Sequence, residues 1–352
     1  MKALIMAGGQ GTRFWPQSVE EHPKQFLELT GPSSLLRETA ERLQPLMDWS
    51  DVFVVASNRY IAQIRRELPE LEDEQIVVEP VPRNTAPCVG LASRHIRRLF
   101  PDEVVAVLPA DHVIQNVREF HRSLYVAEQA AKQGWLVTFG VPPSYPATGF
   151  GYVKRGELLS DEHDLPVYKV DRFEEKPSLE RAREFLADGR HYWNSGMFIW
   201  SVRRIIDEMD QWMPELSMGL ERLMSCSDPS RATEIFAGFE KISVDYGVME
   251  HTSRAAMVVA DFGWNDVGSW RALREVRPAD DFGNVIDNLY EALDTRNCIA
   301  SVPPDKLLAL IGVEDLVIVD TPDALLVCRQ DRAEDVRELV QRLKERGLNR
   351  YV

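Results

Sequence analysis

Residues 1–27, MKALIMAGGQGTRFWPQSVEEHPKQFL, decide how the fold is interpreted. Residues 3–7 are apolar and predict a short buried strand, which runs directly into the glycine-rich residues 8–11. A strand that ends in closely spaced glycines presents bare backbone N–H groups, and no Cβ blocks an approaching phosphate. Arg13 and Lys24 follow, and we expect both cations at the rim of the same crevice. The stretch therefore predicts a phosphate-binding loop, although a Gly-Gly-x-Gly turn alone can also be purely structural.

Beyond this stretch, short apolar segments alternate with helical patterns. Strands are predicted at residues 52–56, 76–79, 104–109 and 136–141, and helices at 35–47, 60–68, 84–99 and 119–132. This alternation is typical of a parallel sheet with helices on both faces. The middle of the chain is less regular, with strands predicted at 152–155, 168–173, 197–200 and 257–262, and helices at 179–187, 202–209 and within 214–239.

The character of the chain changes near Phe282. Short apolar runs recur at 299–302, 307–311, 316–320 and 325–328, and a charged helix is predicted at 332–346. Such regular spacing indicates stacked or meandering strands. We therefore predict two domains, residues 1–284 and residues 285–352.

The polar residues of interest follow predicted strands. In open α/β sheets, ligands bind outside the carboxyl ends of the strands, so we expect the glycine loop, Glu79 and Asp111 to converge. The loop lacks the G-K-[ST] of a Walker motif and the third glycine of a dinucleotide fingerprint. The loop therefore belongs to neither of these two motifs.

Two aspartates, Asp111 and Asp266, each follow a predicted strand. Either one alone could be a helix cap or a turn residue. Together they offer the carboxylate oxygens that Mg²⁺ prefers, with phosphates and water completing its coordination. Such an ion would neutralise charge during phosphoryl transfer.

Composition limits the classes of partner. The 352 residues are 44% hydrophobic and 28% charged, with a formal net charge of −15, which argues against binding to nucleic acid or to an anionic membrane. The four cysteines have no C-x-x-C spacing, which fits a reducing compartment. We find no apolar signal-peptide region and no run long enough for a membrane span, and we expect a soluble, cytoplasmic protein.

Several later residues are suited to a sugar phosphate. Glu175 could accept hydrogen bonds from sugar hydroxyls and Lys176 could meet the phosphate, although a solvated charge pair explains them equally. Asn194 could hold a hydroxyl or merely turn the chain, and the glycines around Gly149 could admit a sugar or mark a bulge. No histidine spacing indicates a metal site, and no G-x-S-x-G elbow supports a hydrolase.

Nine segments in this order resemble the sugar nucleotidyltransferases and, among them, the mannose-1-phosphate guanylyltransferases (GDP-mannose pyrophosphorylases). They are AGGQGTRFWP (7–16), PKQFL (23–27), EPVPRNTAP (79–87), LPADH (108–112), TGFGY (148–152), FEEKP (173–177), WNSGMFIW (193–200), SVDYGVME (243–250) and WNDVGSW (264–270). Trp15, PKQFL and NTAP indicate the mannose and guanosine branch. Gln17 departs from the leucine expected there, and we expect no effect on activity.

This resemblance implies a Rossmann-like, mostly parallel mixed sheet flanked by helices, of the nucleotide-diphospho-sugar transferase type, followed by a small β-helical module. It implies that GTP and mannose 1-phosphate give GDP-mannose and pyrophosphate, with Mg²⁺ or another divalent cation, in a homodimer. The implied catalytic residues are Arg13, Lys24, Asp111 and Asp266, and both aspartates would hold the metal. The implied nucleotide-binding residues are Ala7, Gly8, Gly9, Gly11, Thr12, Glu79, Asn84, Thr85 and Ala86. The implied sugar-phosphate-binding residues are Gly149, Glu175, Lys176, Asn194 and Asp245.

Alternatives remain at this point. A related nucleotidyltransferase could prefer another base or sugar, and a non-catalytic paralogue could sense GDP-mannose. A metal-dependent glycosyltransferase would be expected to carry a D-x-D pair, which the residues around Asp111 lack. The chain also ends without the isomerase domain of some longer relatives, so we expect no isomerase activity.

Overall fold

The computed structural model describes residues 1–9, 11–162 and 164–352. Gln10 of the glycine loop and His163 lie outside the described residues. The chain forms two compact units. The first comprises Met1–Gly8, Ala40–Ala110 and Asn116–Trp264, and the second comprises Gly9–Thr39, Asp111–Gln115 and Asn265–Val352. The predicted domain boundary between residues 284 and 285 stays a prediction.

The regular elements are as follows. The strands are β1 (Lys2–Met6), β2 (Val52–Ser57), β3 (Ile76–Glu79), β4 (Val104–Pro109), β5 (Val113–Ile114), β6 (Leu136–Val141), β7 (Gly151–Glu162), β8 (Leu165–Glu175), β9 (His191–Ser201), β10 (Ala255–Val259), β11 (Trp264–Asn265), β12 (Val285–Ile286), β13 (Tyr290–Leu293), β14 (Ile299–Ser301), β15 (Leu308–Ile311), β16 (Leu316–Asp320) and β17 (Leu325–Arg329). The helices are α1 (Leu35–Glu41), α2 (Ile61–Glu67), α3 (Thr85–Leu99), α4 (Val117–Lys132), α5 (Leu179–Asp188), α6 (Val202–Trp212), α7 (Pro214–Met224), α8 (Pro229–Ala237), α9 (Leu273–Val276) and α10 (Val336–Glu345).

The first unit is built on a nine-stranded sheet of order β3-β2-β1-β4-β9-β6-β10-β8-β7. Strand β1 pairs in parallel with β2 and β4, and β6 pairs in parallel with β10. Strand β9 runs antiparallel between β4 and β6, and β7 and β8 form an antiparallel hairpin. The predicted Rossmann-like mixed sheet flanked by helices is confirmed.

The central strands of the first unit are apolar because they lie in its core. Leu4 of β1 and Val107 of β4 belong to one buried cluster with Val89 of α3 and Trp200 of β9. A central strand is covered on both faces, so it reads as a continuous apolar run. Helix α3 begins as predicted, because the side chain of Asn84 accepts a hydrogen bond from the N–H of Thr85 at 2.8 Å.

Some predicted boundaries are wrong. The helix predicted at 35–47 ends at Glu41, and Pro45 lacks the N–H and the free φ that a longer helix needs. The helical structure predicted within 214–239 consists of α7 and α8, and α8 begins where Asp228 caps it with Pro229 in its first turn. The strands β7 and β8 are longer than predicted, since their hairpin pairing continues through several register shifts.

In the second unit, the C-terminal segment consists of stacked short strands. Strands β12, β14 and β16 pair in parallel and β17 completes this sheet, while β13 pairs with β15. Val317 and Val319 of β16 pack in one cluster with Phe14 and Val336. This arrangement confirms the predicted small β module. The predicted terminal helix at 332–346 is a 3₁₀ turn, Gln330–Asp335, followed by α10.

Among the described residues, no helix is both long enough and apolar enough to cross a bilayer.

Candidate active site

The glycine loop packs directly on the segment that carries Lys24. Gly11 has φ 57°, a left-handed conformation that favours glycine, and it precedes the short 3₁₀ helix Thr12–Phe14. A Cβ at Gly11 would lie 2.3 Å from the Cβ of Lys24. A side chain at this position would therefore push the two segments apart.

Lys24 is buried in the wall of the cavity, so our expectation that it lies at the rim of the crevice is wrong. Its side chain is 7% exposed. The Nζ atom donates to Asp111 Oδ2 at 2.8 Å, to the Asp111 carbonyl at 3.0 Å and to the Asp266 carbonyl at 2.6 Å. A buried ammonium needs such partners, because an unpaired charge is strongly disfavoured away from water. Lys24 thus joins the two aspartate segments that sequence analysis singled out.

The loop that follows Asp266 is strained. Val267 has φ 43°, which a β-branched residue rarely adopts, and it is fully buried. Its N–H donates to Asn265 Oδ1 at 2.7 Å, and Arg13 Nη1 donates to the Gly268 carbonyl at 3.3 Å. Strain of this kind persists only where surrounding contacts impose it, and it concentrates at functional sites. The loop is therefore held in one conformation by Lys24 on one side and Arg13 on the other.

The two aspartates differ in electrostatic environment. Burial alone would raise the pKa of Asp111. The positive charges of Lys24 and His112 and the hydrogen bonds to the carboxylate outweigh burial, so the pKa of Asp111 is lowered. Burial raises the pKa of Asp266, and the negative charge of Asp111 raises it further, against the opposing effect of Lys24 and Arg13. Both aspartates line the same cavity, and the effect of Asp111 on the pKa of Asp266 is consistent with that placement.

Two neighbouring carboxylates fit a hard divalent cation. Within the described ranges there is no group of three or more His, Cys, Asp or Glu side chains placed to hold a metal. Mg²⁺ typically takes one or two carboxylates and completes its shell with phosphate oxygens and waters. Asp111 and Asp266 therefore fit an ion that is bound together with a phosphorylated substrate.

Arg13 contributes a half-exposed cation to the same unit. Its Nε lies 2.7 Å from Glu334 Oε2, in the 3₁₀ turn before α10. One cavity of about 870 Å³ contains the charged residues described above, Arg13, Lys24, Asp111, Asp266 and Glu334. Its other lining residues are Gly11, Thr12, Phe14, His112, Gly268, Asp335, Arg337, Glu338, Val340, Gln341 and Lys344. Sequence reasoning missed the residues from the C-terminal helix, because a charged amphipathic helix carries no motif that would link it to the glycine loop.

The predicted nucleotide-side residues of the first unit lie near the ends of β3 and α3. Glu79 is buried, and burial raises its pKa to about 7, against the effect of the hydrogen bond from the Arg83 N–H. Thr85 Oγ1 accepts from the Val244 N–H at 2.9 Å, and the Ala86 N–H donates to the Ile242 carbonyl at 3.1 Å. Asn84 Oδ1 accepts from the Thr85 N–H. Asn84, Thr85 and Ala86 therefore each make a hydrogen bond that holds the local backbone. Ala7 is buried, and Gly8 and Gly9 are exposed.

Two of the predicted sugar-side residues, Asn194 and Asp245, form a hydrogen-bonded group with Thr138. Asn194 lies within β9, so the alternative that it turns the chain is wrong. Its Nδ2 donates to Asp245 Oδ1 at 2.7 Å, and its Oδ1 accepts from Thr138 Oγ1 at 2.9 Å. Burial and then the charge of Glu175 raise the pKa of Asp245 to about 6. Asp245 opens a π-helical turn, Asp245–Met249, a feature frequent at functional sites.

Of the remaining predicted sugar-side residues, Lys176 is paired with Glu175. Lys176 Nζ lies 3.1 Å from Glu175 Oε1. A Cβ at Gly151 would come within 2.2 Å of Glu175 Oε2, whereas a Cβ at Gly149 would meet open space. Sequence analysis named Gly149 as the site residue, considered Gly151 only as part of the same segment, and missed Thr138. Gly151 was visible as part of TGFGY, but Thr138 was not, since it is one polar residue in an apolar strand.

Comparison with known proteins identifies the class. The nucleotidyl transferase family model matches residues 2–281, and a model of the mannose-phosphate isomerase/GMP-like β-helix domain matches residues 290–343. The chain therefore belongs to the nucleotidyl transferase family, and the predicted resemblance is confirmed.

Particular relatives are closely similar. A mannose-1-phosphate guanylyltransferase of Klebsiella pneumoniae is 42% identical over 99% of this chain and 75% of its own length. The alginate biosynthesis protein AlgA of Pseudomonas aeruginosa is 40% identical over 99% of this chain and 73% of its own length. A crystal structure of a mannose-1-phosphate geranyltransferase from Thermus thermophilus superposes with a TM-score of 0.88 at 34% identity, covering 97% of this chain and 99% of that one.

Proposed function

We propose that this protein transfers GMP from GTP to α-D-mannose 1-phosphate and yields GDP-mannose and pyrophosphate. The observation that carries the proposal is near-full-length similarity to a mannose-1-phosphate guanylyltransferase at 42% identity. The site supports it, since Gly11, Thr12, Lys24, Asp111 and Asp266 line one cavity of the second unit and supply the backbone and charged groups that phosphoryl transfer uses.

The reaction proceeds by in-line displacement. An oxygen of the mannose phosphate attacks the α-phosphorus of GTP, a new P–O bond forms, and the bond to the β-phosphate oxygen breaks to release pyrophosphate. The attacking oxygen is already anionic, so no general base is required. Catalysis then rests on alignment and on neutralising charge at the phosphates.

The residues of the phosphate cradle divide this work. The backbone at Gly8, Gly9, Gly11 and Thr12 cradles the phosphates, and Arg13 holds the leaving pyrophosphate. Lys24 keeps Asp111 ionised and fixes the Asp266 backbone through its three hydrogen bonds. Asp111 and Asp266 would hold Mg²⁺ or another divalent cation, which supplies further neutralisation of phosphate charge.

The other residues select the substrates. The nucleotide is bound by Ala7, Glu79, Asn84, Thr85 and Ala86. Mannose 1-phosphate is bound by Gly149, Glu175, Lys176, Asn194 and Asp245. The support for the sugar assignment is that Asn194 and Asp245 are already fixed in orientation by hydrogen bonds. We further propose a cytoplasmic homodimer with no nucleic-acid or membrane partner.

Pyrophosphate release from GTP with a panel of sugar 1-phosphates tests this proposal. We expect release with mannose 1-phosphate that requires a divalent cation. Faster release with another sugar phosphate or another nucleoside triphosphate would assign the chain to a related specificity. Binding of GDP-mannose with no turnover of any pair would contradict an enzymatic role and support a sensor.

A further inference from the structure

The C-terminal helix α10 forms part of the wall of the cavity that contains the glycine loop. Arg337, Gln341 and Lys344 line it, and their i, i+4, i+7 spacing places them on one face of the helix. The cavity volume of about 870 Å³ lies within the range of about 300–1,000 Å³ typical of ligand sites. A helix outside every motif that indicated the active site thus contributes two cations to it.

The helix is fixed against the loop by apolar packing and by a hydrogen bond. Val336 and Val340 are buried in the same cluster as Phe14 and Trp15, the residues that follow Arg13. Trp15 Nε1 donates to the Tyr351 carbonyl at 2.6 Å, beyond the end of the helix. Because both neighbouring segments are anchored, the cationic face of α10 has a defined position at the cavity.

The charges in the cavity are unequally paired. Lys24 is paired with Asp111 and Arg13 with Glu334, while Asp335 is paired with Arg332 and Glu338 with Arg342. Arg337 and Lys344, by contrast, have no ion-pair partner in the part of the chain that the structure describes. They are the cations of this cavity whose charge is not already balanced by a carboxylate.

We propose that Arg337 and Lys344 bind the β- and γ-phosphates of the nucleoside triphosphate. Glu334 forms an ion pair with Arg13 in the absence of nucleotide, and the phosphates replace Glu334 when the nucleotide binds. This inference deepens the proposed function and rests on it for the identity of the nucleotide. A polyphosphate carries several negative charges, and the loop cations are already neutralised by carboxylates. The chain as a whole is acidic, so local cations must supply the attraction.

Binding of inorganic pyrophosphate with Mg²⁺, measured by calorimetry, tests the inference without any sugar or base. The double variant Arg337→Gln/Lys344→Gln should bind pyrophosphate at least about tenfold more weakly, since it loses two charge-assisted contacts. The variant Arg346→Gln is the matched control, because it removes the same charge two residues from Lys344 but outside the cavity lining. It should bind like the wild type.

Glu334 is tested separately by Glu334→Gln. Removal of its charge frees Arg13, so pyrophosphate should bind severalfold more tightly. The charge-conserving variant Arg337→Lys/Lys344→Arg should bind within about threefold of the wild type, because the two positive charges remain. Retention of charge thereby distinguishes phosphate binding from a structural role of these side chains.

Equal pyrophosphate dissociation constants for the wild type and Arg337→Gln/Lys344→Gln would overturn the inference. It would also be overturned if Arg346→Gln lost as much pyrophosphate affinity as the double variant, or if the wild type did not bind pyrophosphate. Weaker binding by Glu334→Gln would overturn the role given to Glu334. If the wild type binds pyrophosphate as expected but forms no GDP-mannose, the proposed function fails while the phosphate contacts stand.

Discussion

Replacement of Lys24 by methionine removes one buried charge and three hydrogen-bond donations while it keeps most of the apolar stem. Asp111 Oδ2 and the carbonyls of Asp111 and Asp266 each lose the ammonium that lies 2.6–3.0 Å away. The two aspartate segments then lose the group that holds them together. We expect both stability and turnover to fall.

The size of the stability loss follows from burial. Breaking a buried ion pair costs about 3–5 kcal/mol, because the remaining charge is left without compensation. The Asp111 side chain is 30% exposed, so water can solvate part of its charge. We therefore expect the free energy of unfolding to fall by about 3 kcal/mol, at the low end of that range.

The loss should depend on pH in a defined direction. The pKa of Asp111 is lowered from its ordinary 3.8, so the pair stabilises the folded protein above that pH and loses its effect as pH falls through the folded pKa. The difference between the wild type and Lys24→Met should be full at neutral pH and should shrink below about pH 4.

Urea unfolding and pyrophosphate release measure the two effects. Turnover should fall by about two orders of magnitude or more, as for other lost charge-stabilising contacts. The exposed lysine Lys241 provides the control Lys241→Met, which should unfold like the wild type. A double-mutant cycle with Asp111→Asn isolates the pairwise energy. Unchanged stability of Lys24→Met, or a coupling energy near zero, would refute the reasoning.

Three further variants test the remaining roles. Asp266→Asn should lower kcat by about a hundredfold without loss of folding, and near-wild-type turnover across a Mg²⁺ titration would exclude it as a metal ligand. Asn194→Ala should raise the KM for mannose 1-phosphate and leave that for GTP unchanged, because Asp245 loses its hydrogen-bond donor; equal changes in both KM values would contradict the sugar assignment. Glu79 has a folded pKa of about 7 against an ordinary 4.5, so its effect on stability is most favourable below pH 4.5 and is lost as pH rises through 7. Glu79→Gln should lack that decline, about 3 kcal/mol in size, and parallel stability–pH curves for the two proteins would show that Glu79 is not the cause.

Much of the fold could be predicted because the central strands of the first unit are almost entirely buried. Strands β1, β2 and β4 are continuous apolar runs, and their limits differ from the prediction by at most one residue at each end. The hairpin of β7 and β8 was predicted too short, since much of it is only partly buried and has no continuous apolar run. Register and strand order depend on pairing between distant segments, which local patterns do not encode.

The site shows the same division. The glycine loop, Lys24 and both aspartates could be found from the sequence, because each lies in a motif of unusual composition. The burial of Lys24 could not, since it depends on two segments distant in the chain that bring carbonyls and a carboxylate to one ammonium. Glu334 lies in a charged 3₁₀ turn and Arg337 in the charged helix that follows it. Their relation to the loop is shown by the packing of Val336 and Val340 with Phe14 and by the ion pair of Glu334 with Arg13.

Transfer of label from GTP tests the central claim most directly. With mannose 1-phosphate and Mg²⁺, label in the α-phosphate of GTP should appear in the sugar nucleotide and label in the γ-phosphate should appear in pyrophosphate. Both transfers should fall together, by about a hundredfold, in Asp266→Asn. Label from the γ-phosphate in the sugar product, or release of inorganic phosphate in place of pyrophosphate, would contradict attack at the α-phosphorus and with it the proposed reaction.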